Sequence, residues 1–467
     1  MKTSINSRLL GNLISSGSIT NYEANFSKDD KGKFTLSNLV VQGEDLFKTF
    51  GTNGELEFKD CEFENATNFA PHSHKTSLIF TDCIFKDIVA FTRGNDNMLV
   101  FNDCEFKNLN IVAGSYSDIQ INGCNGSCSI NTTRFKSFLL GNWTNDKRNQ
   151  FGSVELNLDQ ASGMVQILRS SFGLLSIKGN VPKDTSVVID SIEAKHFELS
   201  WLTVEGLLRV NNLKPTQRFL MCYEDLRHSE EEQVRINRHF QKSFFLINKS
   251  DLGKSHFSSI DMRAFHLVNI GQSNINEVTF NTIAWPEIIF GFSHVLKKDI
   301  GDYLLRIPKL SKQEQLQTRE VYRQLKQAAI KGADFISEQY FHGKEMNAYY
   351  AALNWKKNFW TKIILRLSYL TANYGQSLWR PTLCLAISTG IVMFVLWEVQ
   401  NTSYQSCDFL RPQNLIDSLA EFMRLANPLH KNNCELKGMP FIIDTTGRIF
   451  NSYFIYNIIR ASRRFVR

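Results

Sequence analysis

No apolar run opens this chain. Met1–Thr20 is polar and lacks the hydrophobic core of a secretory signal, so the N-terminal half is expected in the cytoplasm with reduced thiols. A recognisable pair of catalytic carboxylates is also missing, which disfavours the carbohydrate-active enzymes that parallel β-helices host. Metal-ligand spacing is scarce. Cys124 and Cys128 form a C-x3-C pair with no matching His/Cys pair nearby. Glu338, His342 and Glu345 share a helix face but have no equivalent set on a partner helix. The chain is therefore read as a non-enzyme with no cofactor and no metal. An excess of acid is lacking as well: 53 Lys and Arg against 46 Asp and Glu give a net charge of +7, compatible with an anionic membrane surface or nucleic acid and proving neither.

What the sequence has is repetition. Leu56-Glu-Phe-Lys-Asp-Cys-Glu-Phe63 recurs as Leu78-Ile-Phe-Thr-Asp-Cys-Ile-Phe85 and Leu99-Val-Phe-Asn-Asp-Cys-Glu-Phe106, with a weaker fourth at Ile119–Cys124. A period of roughly 20 to 22 residues marks a solenoid, in which each coil touches only its neighbours. Phe58, Phe80 and Phe101 with Cys61, Cys83 and Cys104 are the expected core ladder, alternating a large and a small buried side chain. Asp60, Asp82, Asp103 and Gly123 stand where the chain turns a corner. Phe58 and Phe63, Phe80 and Phe85, and Phe101 and Phe106 are each five residues apart. The phrase resembles the pentapeptide repeat, which implies a right-handed β-helix of four five-residue sides. The match returns at Ser250–Trp285, with Leu252, Phe257, Met262 and Leu267 in step and, after a slip, Ile275, Phe280 and Trp285.

The expected fold is mainly β with an α-helical membrane tail. Residues 1–54 read as an N-terminal cap and 55–290 as a degenerate β-helix with a charged insertion near 214–242. A helical hairpin follows over 311–354, opened by the capping box Ser311-Lys-Gln-Glu314, with Gly332 ending one helix and Asp334 capping the next. Phe335, Met346, Tyr349 and Leu353 are expected to form the second helix's packed face. Residues 355–379 read as a juxtamembrane amphipathic helix.

A membrane domain occupies 380–467, beginning with an uncharged span over 381–398. The loop 400–440 is expected in the periplasm, with a short amphipathic segment at Leu415, Ile416, Leu419, Phe422 and Met423, and there Cys407 and Cys434 can form a disulfide; two reduced cysteines in a cytoplasmic loop are the alternative. The segment 441–460 has two readings, a second span or a helix lying in the interface. In a span, Asp444, Arg448, Asn451, Ile455 and Asn457 are the candidate pore-lining positions, and Asp444 and Arg448 are spaced to pair. Basic residues before the first span and after the second segment put both flanks on the cytoplasmic side.

Arg319–Lys326, Glu345-Met346, Tyr374–Pro381 and Phe450–Arg464 are similar to the C-terminal half of bacterial pentapeptide-repeat membrane proteins. There a helical hairpin leads into a two-span tail related to small ion channels. The resemblance implies a bacterial inner-membrane protein, homo-oligomeric, whose cytoplasmic β-helix senses or binds an unidentified protein partner. Its tail would contact lipid and alter permeability, as in a stress or antiphage effector. No Thr-x-Gly-Tyr-Gly filter lies between the spans, so potassium selectivity is not implied. A membrane-tethered interaction scaffold without pore activity is the alternative. Nucleic acid is not an expected partner, because DNA-mimicking members of the family need an acidic surface and no span.

Overall fold

The computed structural model describes residues 2–6, 26–28, 33–42, 54–70, 76–92, 94–112, 114–131, 134–141, 148–182, 184–222, 244–265, 267–291, 310–402, 415–431 and 438–466. The chain divides into two compact units, Met1–Lys309 and Leu310–Arg467.

The first unit is a parallel β-solenoid. Its described strands form two ladders of 13. One runs through Ser77–Thr81, Asn95–Asn102 and Ser115–Asn122, the other through Ile84–Thr92, Glu105–Val112 and Asn125–Asn131. Parallel pairing in register sets each residue beside its counterpart one coil on: Phe58 opposite Phe80, and Phe80 opposite Phe101. The rings therefore stack, with centroids 5.0 and 5.1 Å apart; Phe63, Phe85 and Phe106 form a second stack at 4.6 and 5.2 Å. Offset aromatic stacking adds about 0.5–1.5 kcal/mol per pair beyond the area buried.

The corners explain the rest of the phrase. Asp60, Asp82 and Asp103 hold φ of 52–54° and Gly123 of 67°, the left-handed region that Asp, Asn and Gly tolerate. Each aspartate donates its N–H to the next coil, Asp60 to Thr81 O at 2.9 Å and Asp82 to Asn102 O at 3.0 Å. The cysteine after the corner turns inward and satisfies two carbonyls. Cys83 Sγ lies 3.4 Å from Thr81 O and 3.3 Å from Phe58 O. Where cysteine gives out, serine fills the same place: Ser170, Ser250 and Ser273 donate to the carbonyl two residues back. Other coils fill the position with a buried aliphatic side chain, Leu39, Ile192 and Leu213, so a donor is used there but not required.

The ladders begin earlier than the expected start at 55. Phe34–Ser37 and Leu39–Gln42 already pair with the first phrase, Phe34 opposite Leu56 and Val41 opposite Phe63. Residues 1–54 are therefore not only a cap. Leu36, Leu39 and Val41 fill the core there, so the coil exists without the Phe and Cys that reveal the later ones. The expected insertion is also shorter, because Lys214–Cys222 is a strand paired with Glu193–Val204 and His256–Asp261; residues 223–242 lie outside the described residues. Leu252, Phe257, Met262, Leu267 and Ile275 are buried, whereas Phe280 and Trp285 are half-buried. The five-residue step does not hold around a whole coil: from Phe85 the next core aromatic is Phe91, and a register shift between Phe106 and Asn108 absorbs the difference.

The second unit is helical: α1 (Lys312–Lys331), α2 (Phe335–Ala352), α3 (Phe359–Ala372), α4 (Trp379–Thr402), α5 (Leu415–Ala426) and α6 (Met439–Val466). Ser311 and Glu314 close the capping box on α1, and Asp334 accepts from Ser337 N to cap α2. The buried side of α2 is Phe341, Glu345, Ala348 and Ala352, not the face through Phe335 and Met346. The carboxylate decides this: Glu345 is drawn against α1, where Lys326 and Arg319 meet it. The amphipathic helix expected over 355–379 is shorter, ending at the left-handed Asn373, Tyr374 and Gly375.

Candidate functional site

α4 and α6 pack antiparallel. Asn451 meets Thr389, Gly447 faces Val392, and Ile443 joins the cluster of Leu396 and Leu425. A Cβ on Gly447 would come within 2.7 Å of Val392 Cγ2, so the helices approach as closely as glycine allows. Trp379–Val399 of α4 is long and apolar enough to cross a membrane, with mean hydropathy 1.9 and 11% of its most apolar window buried. Leu383, Ile387, Ile391, Phe394 and Trp397 are exposed along it.

α6 turns polar and small positions inward and several large apolar ones outward. Its buried positions are Asp444, Gly447, Asn451, Phe454, Asn457 and Ala461, mostly polar or small. Its exposed positions include Phe441, Ile442, Ile449, Phe450, Tyr456 and Ile459. A helix in water puts its apolar stripe inside. An open groove of about 560 Å³ runs between α4 and α6, lined by Cys384, Ser388, Ile391, Val392, Thr446 and Phe450 among others.

α5 brings its C-terminal end to the middle of this pair. Asn451 Nδ2 donates to the Leu425 carbonyl at 2.9 Å and to Thr389 Oγ1 at 3.3 Å, while Asn451 Oδ1 is buried with no hydrogen-bond partner. The amphipathic segment expected within 400–440 is thus the helix α5, whose C-terminal end reaches α4 and α6. Leu425 is apolar enough to bury against Leu396, and its orphaned carbonyl needs a donor that Asn451 supplies.

A charged cluster closes the turn after α5. Asp444 is 3% exposed and takes Arg448 Nε at 2.9 Å; its other oxygen lies 3.0 Å from His430 Nε2. Arg448 Nη2 is 3.2 Å from that same nitrogen. The Asn427 carbonyl, 2.7 Å from His430 Nδ1, can only accept, so Nδ1 carries a proton. Nε2 thus stands between the Asp444 carboxylate and the Arg448 guanidinium.

Of the expected pore-lining residues, Asp444, Arg448 and Asn451 are brought together and tied to partners of the same chain. Asn457 donates to the Tyr453 carbonyl at 2.9 Å, and Ile455 is half-buried, an apolar side chain with no polar group to offer a lining. Sequence reasoning missed His430 and Thr389. A lone histidine in a loop and a threonine in an apolar run carry no signal until α5 folds back. Cys407 and Cys434 lie outside the described residues. In the solenoid, Asp82, Asp103, Glu105, Asn125, Arg148 and Gln150 line a polar recess of about 480 Å³ beside the corner ladder.

Compared with protein-family models, curated proteins and solved structures, the chain gives no match.

Proposed function

We propose that this chain is a membrane protein without enzymatic activity, whose helical unit inserts into a bilayer, assembles in several copies and alters permeability. Its solenoid, built of coils resembling pentapeptide repeats, binds the protein partner that controls this. The observation that carries the reading is α5 ending against Thr389 and Asn451, between two helices whose outward faces are apolar. With α4 and α6 as two spans, that end lies near mid-bilayer. A plain anchor gains nothing from a helix terminus and an asparagine at such depth, since each polar group there is expensive. The C-terminal end of a helix presents orphaned carbonyls and partial negative charge. Rotationally related copies would gather these ends around one axis, the chemistry of an ion path. The arginines at the α4 start and the α6 end fit the cytoplasmic side of a bacterial inner membrane, and with them the solenoid belongs in the cytoplasm.

A tethered scaffold without a pore is the second reading. Asp444, Arg448 and His430 favour it, because they satisfy one another inside a single chain.

Dye and ion release from liposomes carrying the purified full chain separates the two. Wild type is expected to leak. Asn451→Leu should incorporate equally well and leak roughly tenfold less, the equivalent of one hydrogen bond of ~1.4 kcal/mol. Wild type that incorporates yet leaks no more than empty vesicles overturns the permeability reading in favour of the scaffold.

A further inference from the structure

Three arginines gather where α3 turns into α4. The turn is the left-handed run Asn373, Tyr374 and Gly375, with φ of 48°, 57° and 85°. Arg380 donates through Nη1 to the Tyr369 carbonyl at 3.2 Å, and its guanidinium sits 5.5 Å from the Tyr369 ring centre. Arg366 lies 5.8 Å from that ring. Arg460 arrives from α6, so near Gly375 that a Cβ there would stand 3.1 Å from its Nε. Its Nη2 is 3.3 Å from His342 Nε2. Burial, with Arg460 and Lys326 adding to it, holds that imidazole below its ordinary range. The ring therefore accepts from Arg460 without neutralising it. None of the three arginines is ion-paired with a carboxylate among the described residues.

The place of the cluster matters as much as its charge. Arg380 and Arg460 each lie about nine residues, or roughly 13 Å of helix, from the touching pair Thr389 and Asn451. On antiparallel helices that puts both at one level, half a hydrocarbon layer from the middle. Around them Leu370, Leu378 and Trp379 are 52%, 42% and 72% exposed. Cations with apolar neighbours facing outward have no protein counter-charge to meet.

We infer that this elbow binds the phosphate headgroup of an anionic phospholipid, with Arg366, Arg380 and Arg460 taking the phosphate oxygens and the acyl chains lying along Leu370, Leu378 and Trp379. The inference rests on the bilayer reading above. A guanidinium is a planar fork that matches two phosphate oxygens, and two of the three lie within cation–π reach of the Tyr369 ring. The bound lipid would tie the end of α3, the start of α4 and the end of α6 to one another.

The test uses the full chain in a zwitterionic detergent, titrated with phosphatidylglycerol, phosphatidylcholine or inorganic phosphate while the thermal midpoint is followed. Phosphatidylglycerol is expected to raise the midpoint and phosphatidylcholine to leave it. Arg366→Gln/Arg380→Gln should weaken the apparent phosphatidylglycerol affinity by about tenfold or more. Lys312→Gln/Lys331→Gln, with the same loss of charge on exposed α1 positions, should keep it. Equal response to both lipids, or equal loss in both double variants, overturns the site. A shift reproduced by inorganic phosphate alone overturns the lipid as its ligand. Should Arg366→Gln/Arg380→Gln misfold, as judged by circular dichroism, Arg460→Gln takes its place with the same expected loss. Flotation with phosphatidylcholine liposomes reports insertion separately: a chain that floats but shows no preference for phosphatidylglycerol loses only this inference, and one that does not float loses the bilayer reading.

Discussion

At the scale of single residues, the solenoid depends on side chains that repeat their own kind one coil away. Phe101 is fully buried between Phe80 and the next coil, while Glu105 in the same phrase points outward. Phe101→Ala is expected to destabilise the unit by about 3–5 kcal/mol, and Phe101→Asp to unfold its N-terminal coils. Glu105→Ala should stay within about 0.5 kcal/mol. Thermal melts followed by circular dichroism measure both, and equal losses would show the register to be wrong. His342 gives a pH dependence at the same scale. Its imidazole is held below the ordinary 6.5, chiefly by burial, so the unfolded chain binds the proton more readily. Its contribution is complete above about pH 6.5 and fades as pH falls below that value. The thermal midpoint of the helical unit should therefore drop less between pH 7.5 and 5.5 in His342→Gln than in wild type.

Among elements, α6 decides how the helical unit is built. Within the single chain its inward face holds α4 and α5, through Asn451 on Thr389 and on the Leu425 carbonyl. Gly447 is a point of close approach, where a Cβ would stand 2.7 Å from Val392 Cγ2 and a leucine must push that side chain aside. Gly447→Leu should separate α4 from α6 and cost about 1–3 kcal/mol, the usual scale of overpacking. A Val392→Ala second change should recover part of the loss. Thermal stability in detergent reads both; an unchanged midpoint for the single variant would show that these helices do not pack through Gly447.

For the whole molecule, the cysteines mark the two units differently. Cys61, Cys83, Cys104, Cys124 and Cys128 are all buried in the solenoid. Burial and neighbouring thiols raise Cys83 and Cys104, and burial pushes Cys128 up to about 12. These five should ignore a hydrophilic maleimide until the solenoid unfolds, then react together. Cys384 borders the open groove between α4 and α6 and should react with a membrane-permeant maleimide in the native state. Mass spectrometry after stepwise denaturation follows both. Early labelling of Cys83 would mean that the coils open independently.

Several features are decided by sequence alone. A phrase of Phe, Asp and Cys repeated at a near-constant step can only stack, because a buried Phe is best satisfied by its own copy at the spacing of paired strands. An uncharged run such as Pro381–Trp397 declares its helix by composition, and Ser311 with Glu314 its cap. Other features depended on contacts between residues far apart in the chain. Leu36, Leu39 and Val41 make a coil without the repeated phrase, since any aliphatic of fitting size can continue a stack once the register is set. His430, Thr389 and Leu425 carry no local pattern, and they meet Asp444 and Asn451 only because α5 returns between α4 and α6. A polar group's worth is set by its partner, and the partner is chosen by the tertiary fold.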